Sequence, residues 1–181
     1  MVGASRAVEE FGAKGSAGAR VKRIADRAGL NHQLISYYFG GKAGLYQALQ
    51  RRWRQTSGDL NRPELPLEEV VVRFLEASLA NPSWARLLVW QGLDDEGADQ
   101  PPDGADLMRW MVADIGRRQK AGELAEDLDP AHVALALFAA AAAPTVLPHV
   151  ARSLSGVDPG SGDFARDYGE QLARLVRHLK R

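Results

Sequence analysis

The segment GLNHQLISYYFGGK, residues 29–42, concentrates side chains that could bind a ligand or a polyanion. Its aromatic residues could pack in a core, stack on a ligand or press against a phosphate backbone. Gly41-Lys42 could also belong to a nucleotide-phosphate loop. Such a loop requires Ser or Thr after the lysine and a strand before it, whereas Ala43 follows Lys42 and a helical pattern comes first. A Walker-type phosphate loop is therefore excluded.

Other residue types that could support catalysis or metal binding are dispersed along the chain. The four histidines, at positions 32, 132, 149 and 178, lack the spacing of metal ligands. Without cysteine the chain has no disulfide, thiol nucleophile or cysteine metal site. The acidic residues 94–96 fall in a stretch with Gly and Pro at 94–104, which predicts a solvated loop. We therefore predict no catalytic residue, no metal, no cofactor and no enzymatic activity.

The distribution of charge favours a polyanion as the partner. The formal net charge of the whole chain is zero. Residues 1–54 nevertheless hold ten Lys/Arg and three acidic residues, a net charge of +7, and residues 55–181 carry the compensating −7. A cationic module raises the local concentration of nucleic acid. Chance clustering of solvated charges is the alternative.

The sequence also favours a cytoplasmic location without a membrane partner. The absence of cysteine fits a reducing compartment. The amino terminus carries charges and lacks the apolar core of a secretory signal. The longest apolar run, residues 133–143, is about half as long as a bilayer crossing requires.

The elements that carry these residues are predicted to be helices. Apolar residues recur three and four positions apart along nearly the whole chain, and the alternation typical of strands is missing. We predict an all-α fold of about nine helices, with residues 4–14, 21–28, a short helix capped by Asn31 and a helix from Lys42 in the basic part. The segment 133–143 is apolar all round and is predicted to be buried on more than one side, with Pro144 and Pro148 bending or interrupting the helix.

Two short helices joined by Gly29-Leu30-Asn31 have the proportions of a helix-turn-helix. Residues 11–49, FGAKGSAGARVKRIADRAGLNHQLISYYFGGKAGLYQAL, resemble the DNA-binding domain of tetracycline-repressor-type (TetR family) regulators. The matching positions are Phe11, Gly15, Val21, Ile24, Ala25, Ala28, Gly29, Ile35, Tyr38, Phe39, Lys42, Leu45 and Tyr46. Ser16 and Arg20 depart from the pattern, because the family usually has an aromatic residue and a capping Ser or Thr there. The resemblance implies a helix-turn-helix domain at residues 1–46 and a helical ligand-binding and dimerisation domain at 47–181.

The resemblance also implies which side chains contact DNA. The predicted DNA-binding residues are His32, Gln33 and Ser36 for base edges, Tyr37, Tyr38 and Lys42 for phosphates, and Lys22 for a phosphate or a base. The first three lie at i, i+1 and i+4 on one side of the short helix and carry donors and acceptors suited to base edges. Ile35 and Phe39 are expected in the core. Tyr38 could equally pack there, and Lys22 could be a solvated lysine.

In the family, the second domain binds an inducer and carries the dimer interface in its last two long helices. Transferred to this chain, the interface spans about 130–153 and 164–181, although the apolar segment could instead be the central helix of a monomeric bundle. The predicted ligand-binding residues are Trp84, Trp90, Met108, Trp110, Met111 and Phe138. These side chains suit a largely apolar small molecule, and ordinary core packing is the alternative role for each of them.

Together these patterns predict a homodimeric, ligand-responsive repressor that a small-molecule inducer releases from double-stranded, pseudo-palindromic operator DNA. Within the same fold, the alternatives are an activator or a regulator that responds to no ligand. From other classes, they are an all-α small-molecule-binding protein or enzyme without DNA binding, and a dimeric scaffold. The +7 module argues against the scaffold.

Overall fold

The computed structural model describes residues 2–60, 62–93 and 105–180, and all regular elements within them are helices. The ten helices are α1 (Val2–Gly18), α2 (Val21–Ala28), α3 (His32–Phe39), α4 (Lys42–Leu60), α5 (Leu67–Ala80), α6 (Pro82–Leu93), α7 (Ala105–Lys120), α8 (Pro130–Val146), α9 (Pro148–Ser155) and α10 (Gly162–His178). The predicted all-α fold is confirmed. The predicted acidic loop at 94–104 lies outside the described residues.

The described residues contain one helix more than the nine predicted, because the apolar segment before the last helix forms two helices. α8 continues through Pro144, which is buried inside it, and ends at Val146. Leu147 is not helical, and Pro148 begins α9 at an angle of 92° to α8. The interruption therefore lies at Pro148, where a proline ring fits the first position of a helix.

By packing, the chain divides into two compact units. One comprises Met1–Thr56 and Asn81–Asp103, and the other comprises Ser57–Ala80 and Gly104–Arg181. α4 begins in the first unit and ends in the second. The predicted boundary between residues 46 and 47 divides a DNA-binding domain from a ligand-binding and dimerisation domain. It does not coincide with the division into compact units, and it stays a prediction.

The first unit is built on close contact between α1 and α6. A Cβ added at Gly12 would lie 2.5 Å from the carbonyl oxygen of Ser83, so only glycine admits this approach of the two helices. The indole of Trp90 lies against Gly15 and donates a hydrogen bond to the carbonyl of Gly12 at 3.2 Å. The core of the unit contains Ala7, Val8, Phe11, Ala19, Ile24, Ala25, Ile35, Leu45, Leu49 and Leu87.

The second unit has α5, α7, α8 and α10 around one apolar core. Its buried members are Leu67, Val71, Leu75, Ile115, Leu124, Val133, Ala134, Leu137, Ala141, Leu172 and Val176. Arg118 is also fully buried, and its guanidinium donates to the carboxylates of Asp114 and Glu123 and to the carbonyl of Leu65, at 2.8, 3.0 and 2.8 Å. These partners offset the cost of burying its charge.

Within the single chain, α8 is buried on one face, and the burial on more than one side that its sequence predicts stays a prediction. Its core face carries Val133, Leu137 and Ala141. Leu135 on the opposite face is 65% exposed, and none of the eight described residues of α9 is buried. In the described parts of the chain, no single helix has the length and apolar composition to cross a membrane, and the α8–α9 pair meets both conditions only if its 92° bend is ignored.

The proline inside α8 leaves a backbone carbonyl to be satisfied from outside the helix. Pro144 has no N–H, so it cannot bond to the carbonyl of Ala140 four residues earlier. The hydroxyl of Tyr168 on α10 donates to that carbonyl at 3.0 Å. Burial raises the pKa of Tyr168, which keeps this hydroxyl protonated. The proline inside α8 is thus matched by a donor from α10.

This arrangement predicts a coupling between Tyr168 and Pro144. Tyr168→Phe is expected to lower the free energy of unfolding by about 1 kcal/mol, because the Ala140 carbonyl loses its donor. In a Pro144→Ala background the new N–H at residue 144 can bond to that carbonyl, so the same change should cost much less. Urea unfolding of the four proteins at one protein concentration measures the coupling.

Equal costs of Tyr168→Phe in the two backgrounds would contradict this explanation of the hydrogen bond. Tyr37→Phe is the matched control, because Tyr37 is exposed. Its effect on stability should stay within about 0.5 kcal/mol.

Candidate nucleic-acid interface and effector cavity

α2 and α3 form the predicted helix-turn-helix. α2 ends at Gly29, whose φ of 67° and ψ of 30° lie in the left-handed region that favours glycine. After Leu30, the side chain of Asn31 accepts a hydrogen bond from the N–H of Gln33 at 2.9 Å. The predicted turn and the predicted cap of α3 are confirmed.

α3 exposes almost its entire surface. Of its eight residues, all of them described, Ile35 alone is buried. His32, Gln33 and Ser36 are exposed, as expected for residues that contact a partner. The rings of Tyr37 and Tyr38 meet edge to face with centroids 5.2 Å apart, and Tyr37 is 82% exposed.

Phe39 corrects one expectation about this helix. Its position four residues after Ile35 predicts that it shares the buried face, but its side chain is 42% exposed. Phe39 is the last residue of α3, and the chain turns away at Gly40 in the left-handed conformation. It therefore joins the exposed apolar side chains Leu30, Leu34, Tyr37 and Tyr38. Exposed apolar side chains that form a contiguous patch often mark an interaction site.

Two lysines flank the exposed helix. Lys22 is exposed on α2. Lys42 begins α4 and is half-buried, and its ammonium donates to the carbonyl of Ala17 at 3.1 Å. Because an ammonium has three donors, this bond fixes the position of Lys42 and leaves donors for a phosphate. The structure thus brings the seven predicted DNA-binding residues to two short helices and the start of a third.

Ion pairs bind the acidic residues of α1 to arginines of the same unit. Glu9 pairs with Arg6 at 2.9 Å and with Arg27 at 2.7 Å. The hydrogen bond from Arg6, aided by the charges of Arg6 and Arg27, lowers the pKa of Glu9 despite the opposing effect of desolvation. Glu10 is 2% exposed and lies 3.4 Å from Arg23. Local sequence patterns gave no reason to expect its burial, apart from the missing cap at Arg20.

Three of the six predicted ligand-binding residues line one small cavity. Trp110 and Met111 of α7 and Phe138 of α8 surround a space of about 30 Å³, together with apolar residues of α5 and the carboxylate of Asp114. Ligand pockets typically measure about 300–1,000 Å³. The cavity as described has room for a water-sized guest, and a larger ligand requires the helices around it to separate.

The other three predicted ligand-binding residues lie elsewhere. Trp84 and Trp90 belong to α6 in the first unit, where Trp84 packs against the core and Trp90 against α1. Met108 is exposed on α7 and does not line the cavity. Their role in ligand binding stays a prediction. A second, more polar cavity of about 290 Å³ lies between the segment before α5 and the ends of α7 and α10, and no predicted residue lines it.

Metal ligands do not assemble in the part of the chain that the structure describes. No group of three or more His, Asp or Glu side chains has the arrangement that could hold an ion among residues 2–60, 62–93 and 105–180.

Comparison with known proteins assigns both parts of the chain. Residues 5–49 match the model for bacterial regulatory proteins of the tetR family, and residues 66–168 match that for the tetracyclin repressor-like C-terminal domain. The HTH-type transcriptional repressor SCO4008 of Streptomyces coelicolor is 30% identical over 173 residues, which cover 94% of this chain and 90% of the relative. The HTH-type transcriptional regulator SrpR of Pseudomonas putida is 34% identical over 98 residues, or 50% of this chain and 46% of SrpR.

Solved structures share the fold along nearly the whole chain. SCO4942 from Streptomyces coelicolor superposes with a TM-score of 0.78 at 25% identity, covering 98% of this chain and 96% of its own. The ketosteroid transcriptional regulator KstR2 of Mycobacterium tuberculosis gives a TM-score of 0.69 at 18% identity, covering 99% and 93%.

Proposed function

The chain belongs to the TetR family of transcriptional regulators, and from this premise we propose that it is a cytoplasmic repressor that a small apolar inducer releases from a pseudo-palindromic operator. Members of the family regulate transcription by binding DNA and are not enzymes. The observation that carries the proposal is the exposure of α3, which leaves every side chain but Ile35 accessible.

In this proposal α3 is the recognition helix and enters the major groove. The groove of B-DNA is about 12 Å wide and accepts one helix. His32, Gln33 and Ser36 offer hydrogen-bond donors and acceptors to base edges, and Leu34 offers an apolar contact for a thymine methyl group. α3 is short, so residues at its end and beyond it reach the backbone of the DNA on leaving the groove.

Phosphate contacts are assigned to the residues around the recognition helix. The hydroxyls of Tyr37 and Tyr38 and the ammonium of Lys42 can donate to phosphate oxygens. Lys22 takes the same role from α2. The fixed position of Lys42, bonded to Ala17, reduces the entropy that the side chain loses on binding.

We propose that two copies associate through α8 and α10. The single chain leaves Leu135 of α8 and Leu175 of α10 exposed. Val150 and Leu154 of α9, the helix that follows α8, are exposed as well. An isologous contact between two copies would bury these side chains. A symmetric pair of recognition helices then reaches two half-sites about 34–36 Å apart on the DNA.

The inducer is proposed to bind where Trp110, Met111 and Phe138 converge. Because the cavity holds about 30 Å³, ligand entry must select an expanded arrangement of α5, α7 and α8. Coupling energies of about 1–3 kcal/mol are typical of such linkage and would lower operator affinity about 5- to 150-fold. α6 packs on α1 through Gly12 and Trp90, so a displacement of α6 would move α1 of the same unit with it.

The DNA-binding assignment predicts different outcomes for two substitutions. Gln33→Ala is expected to cost about 1–3 kcal/mol on the specific operator and to relax sequence preference, because a base contact is lost. Lys42→Ala should weaken binding to all sequences alike. It should also reduce by about one the slope of log affinity against log salt concentration, because one phosphate contact fewer releases one counterion fewer. Mobility shifts on upstream DNA and on a scrambled duplex, at two salt concentrations, measure both effects.

Lys120→Ala is the matched control, since Lys120 is an exposed lysine of α7 outside the cationic module. It should leave both affinities unchanged. An altered sequence preference in Lys42→Ala, or uniform weakening in Gln33→Ala, would reverse the assignment of base and phosphate contacts.

The cavity assignment predicts that filling the cavity abolishes the response to inducer. Ala141 lines the cavity and is buried, so Ala141→Leu should occupy the space that an apolar compound needs. A thermal-shift screen with steroids, long-chain acyl esters and planar aromatic compounds identifies a binder by a raised midpoint. The rise should vanish in Ala141→Leu and persist in Ala113→Leu, a change at an exposed position of α7. A rise that survives in Ala141→Leu would place the effector elsewhere.

A further inference from the structure

α2 of the helix-turn-helix lacks an acceptor at its own amino terminus. The N-cap residue is Arg20, which adopts the extended conformation of a capping residue but makes no side-chain cap hydrogen bond. An arginine side chain has only donors and cannot accept from backbone N–H groups. The free N–H groups at the start of α2 therefore need an acceptor from another element.

Glu10 of α1 places a carboxylate at this position. Its Oε1 accepts from the backbone N–H of Arg20 at 3.4 Å and lies 3.4 Å from Nη1 of Arg23. The Glu10 side chain is 3% exposed. In an ordinary capping box, a glutamate inside the helix reaches back to the N-cap N–H. Here the glutamate comes from a different helix.

The burial of Glu10 requires compensation that α2 supplies. A buried carboxylate is costly unless charges and hydrogen bonds stabilise it. The guanidinium of Arg23 and the positive end of the α2 dipole both lie on the side that Glu10 faces. The distances of 3.4 Å are long for hydrogen bonds, so electrostatic attraction contributes much of the interaction.

The neighbouring glutamate holds the other end of α2. Glu9 pairs with Arg27 in the last turn of α2 at 2.7 Å. Two consecutive residues of α1 thus contact the first and the last turn of an eight-residue helix. A helix of this length is unstable without tertiary contacts, so its placement depends on them.

We propose that Glu10 is an interhelical cap, which accepts from the N-cap N–H of Arg20 as the glutamate of a capping box does and positions the helix-turn-helix for DNA. Glu10 contacts no DNA in this arrangement and acts through α2. The effect on DNA binding rests on the proposed function, whereas the cap itself is a property of the free protein.

A double-mutant cycle tests the cap. Glu10→Ala should lower the hydrogen-exchange protection of the α2 amides by about fivefold, the usual effect of losing a cap. It should also lower operator affinity by a similar factor in fluorescence anisotropy. Arg23 is at N3, so Arg23→Glu supplies a capping-box glutamate for the same N–H and should recover most of the lost protection in the Glu10→Ala background. In the wild-type background it removes the arginine that faces the buried Glu10 and adds a second carboxylate, so it should lower α2 protection.

Controls separate the cap from general destabilisation. Glu9→Ala removes a more exposed ion pair, so its effect should be smaller and Arg23→Glu should not rescue it. If Glu10→Ala does not fold, Glu10→Gln retains the shape and one acceptor, and Arg23→Glu should raise its α2 protection. Additive effects in either cycle, or unchanged protection in both Glu10 variants, would overturn the proposal. If the hydrogen-exchange protection of α2 changes as the cycle predicts but the wild type binds no operator, the cap is upheld and the proposed function is refuted.

Discussion

The accessibility of α3, the proposed recognition helix, depends on a single buried side chain. α3 has eight residues and cannot persist alone, yet a helix that enters a DNA groove must present nearly all of its surface. Ile35 resolves this conflict by anchoring α3 to the core of Phe11, Ile24 and Leu45. The N-cap at Asn31 and the left-handed Gly40 then define where the helix begins and ends. The remaining side chains are free to contact a partner.

Several close contacts join the other helices of the first unit to one another. Gly12 allows α1 and α6 to approach closely, and Trp90 bonds to the backbone of α1. The two glutamates of α1 hold α2, and Lys42 connects the start of α4 to the end of α1. These contacts join α1 to α2, α4 and α6, and α2 in turn precedes α3 in the helix-turn-helix. The second unit differs, since it contains a small cavity and leaves one face of α8 exposed.

Features that depend on neighbouring residues were predictable from the sequence, and features that depend on distant ones were not. Gly29 and Asn31 form the predicted turn because caps act over three or four residues. Phe39 was placed wrongly because it ends α3, where the chain turns away at Gly40 and no further helical turn covers its side chain. Arg118 bonds to the distant Leu65 and Glu10 to the distant Arg20, which local patterns cannot reveal, although the uncapped Arg20 indicated that something was missing. Trp84 and Trp90 could not be distinguished from cavity residues, because composition does not indicate which helix packs on which.

The central claim is that paired copies of α3 contact successive major grooves of operator DNA. Hydroxyl-radical footprinting of the chain's own upstream DNA tests this claim most directly. The account predicts two protected clusters on one face of the duplex, related by a two-fold axis and about one helical turn, or a multiple of it, apart. Protection without symmetry or at a single half-site would contradict the paired arrangement, and the absence of sequence-specific protection would contradict DNA recognition by α3 itself.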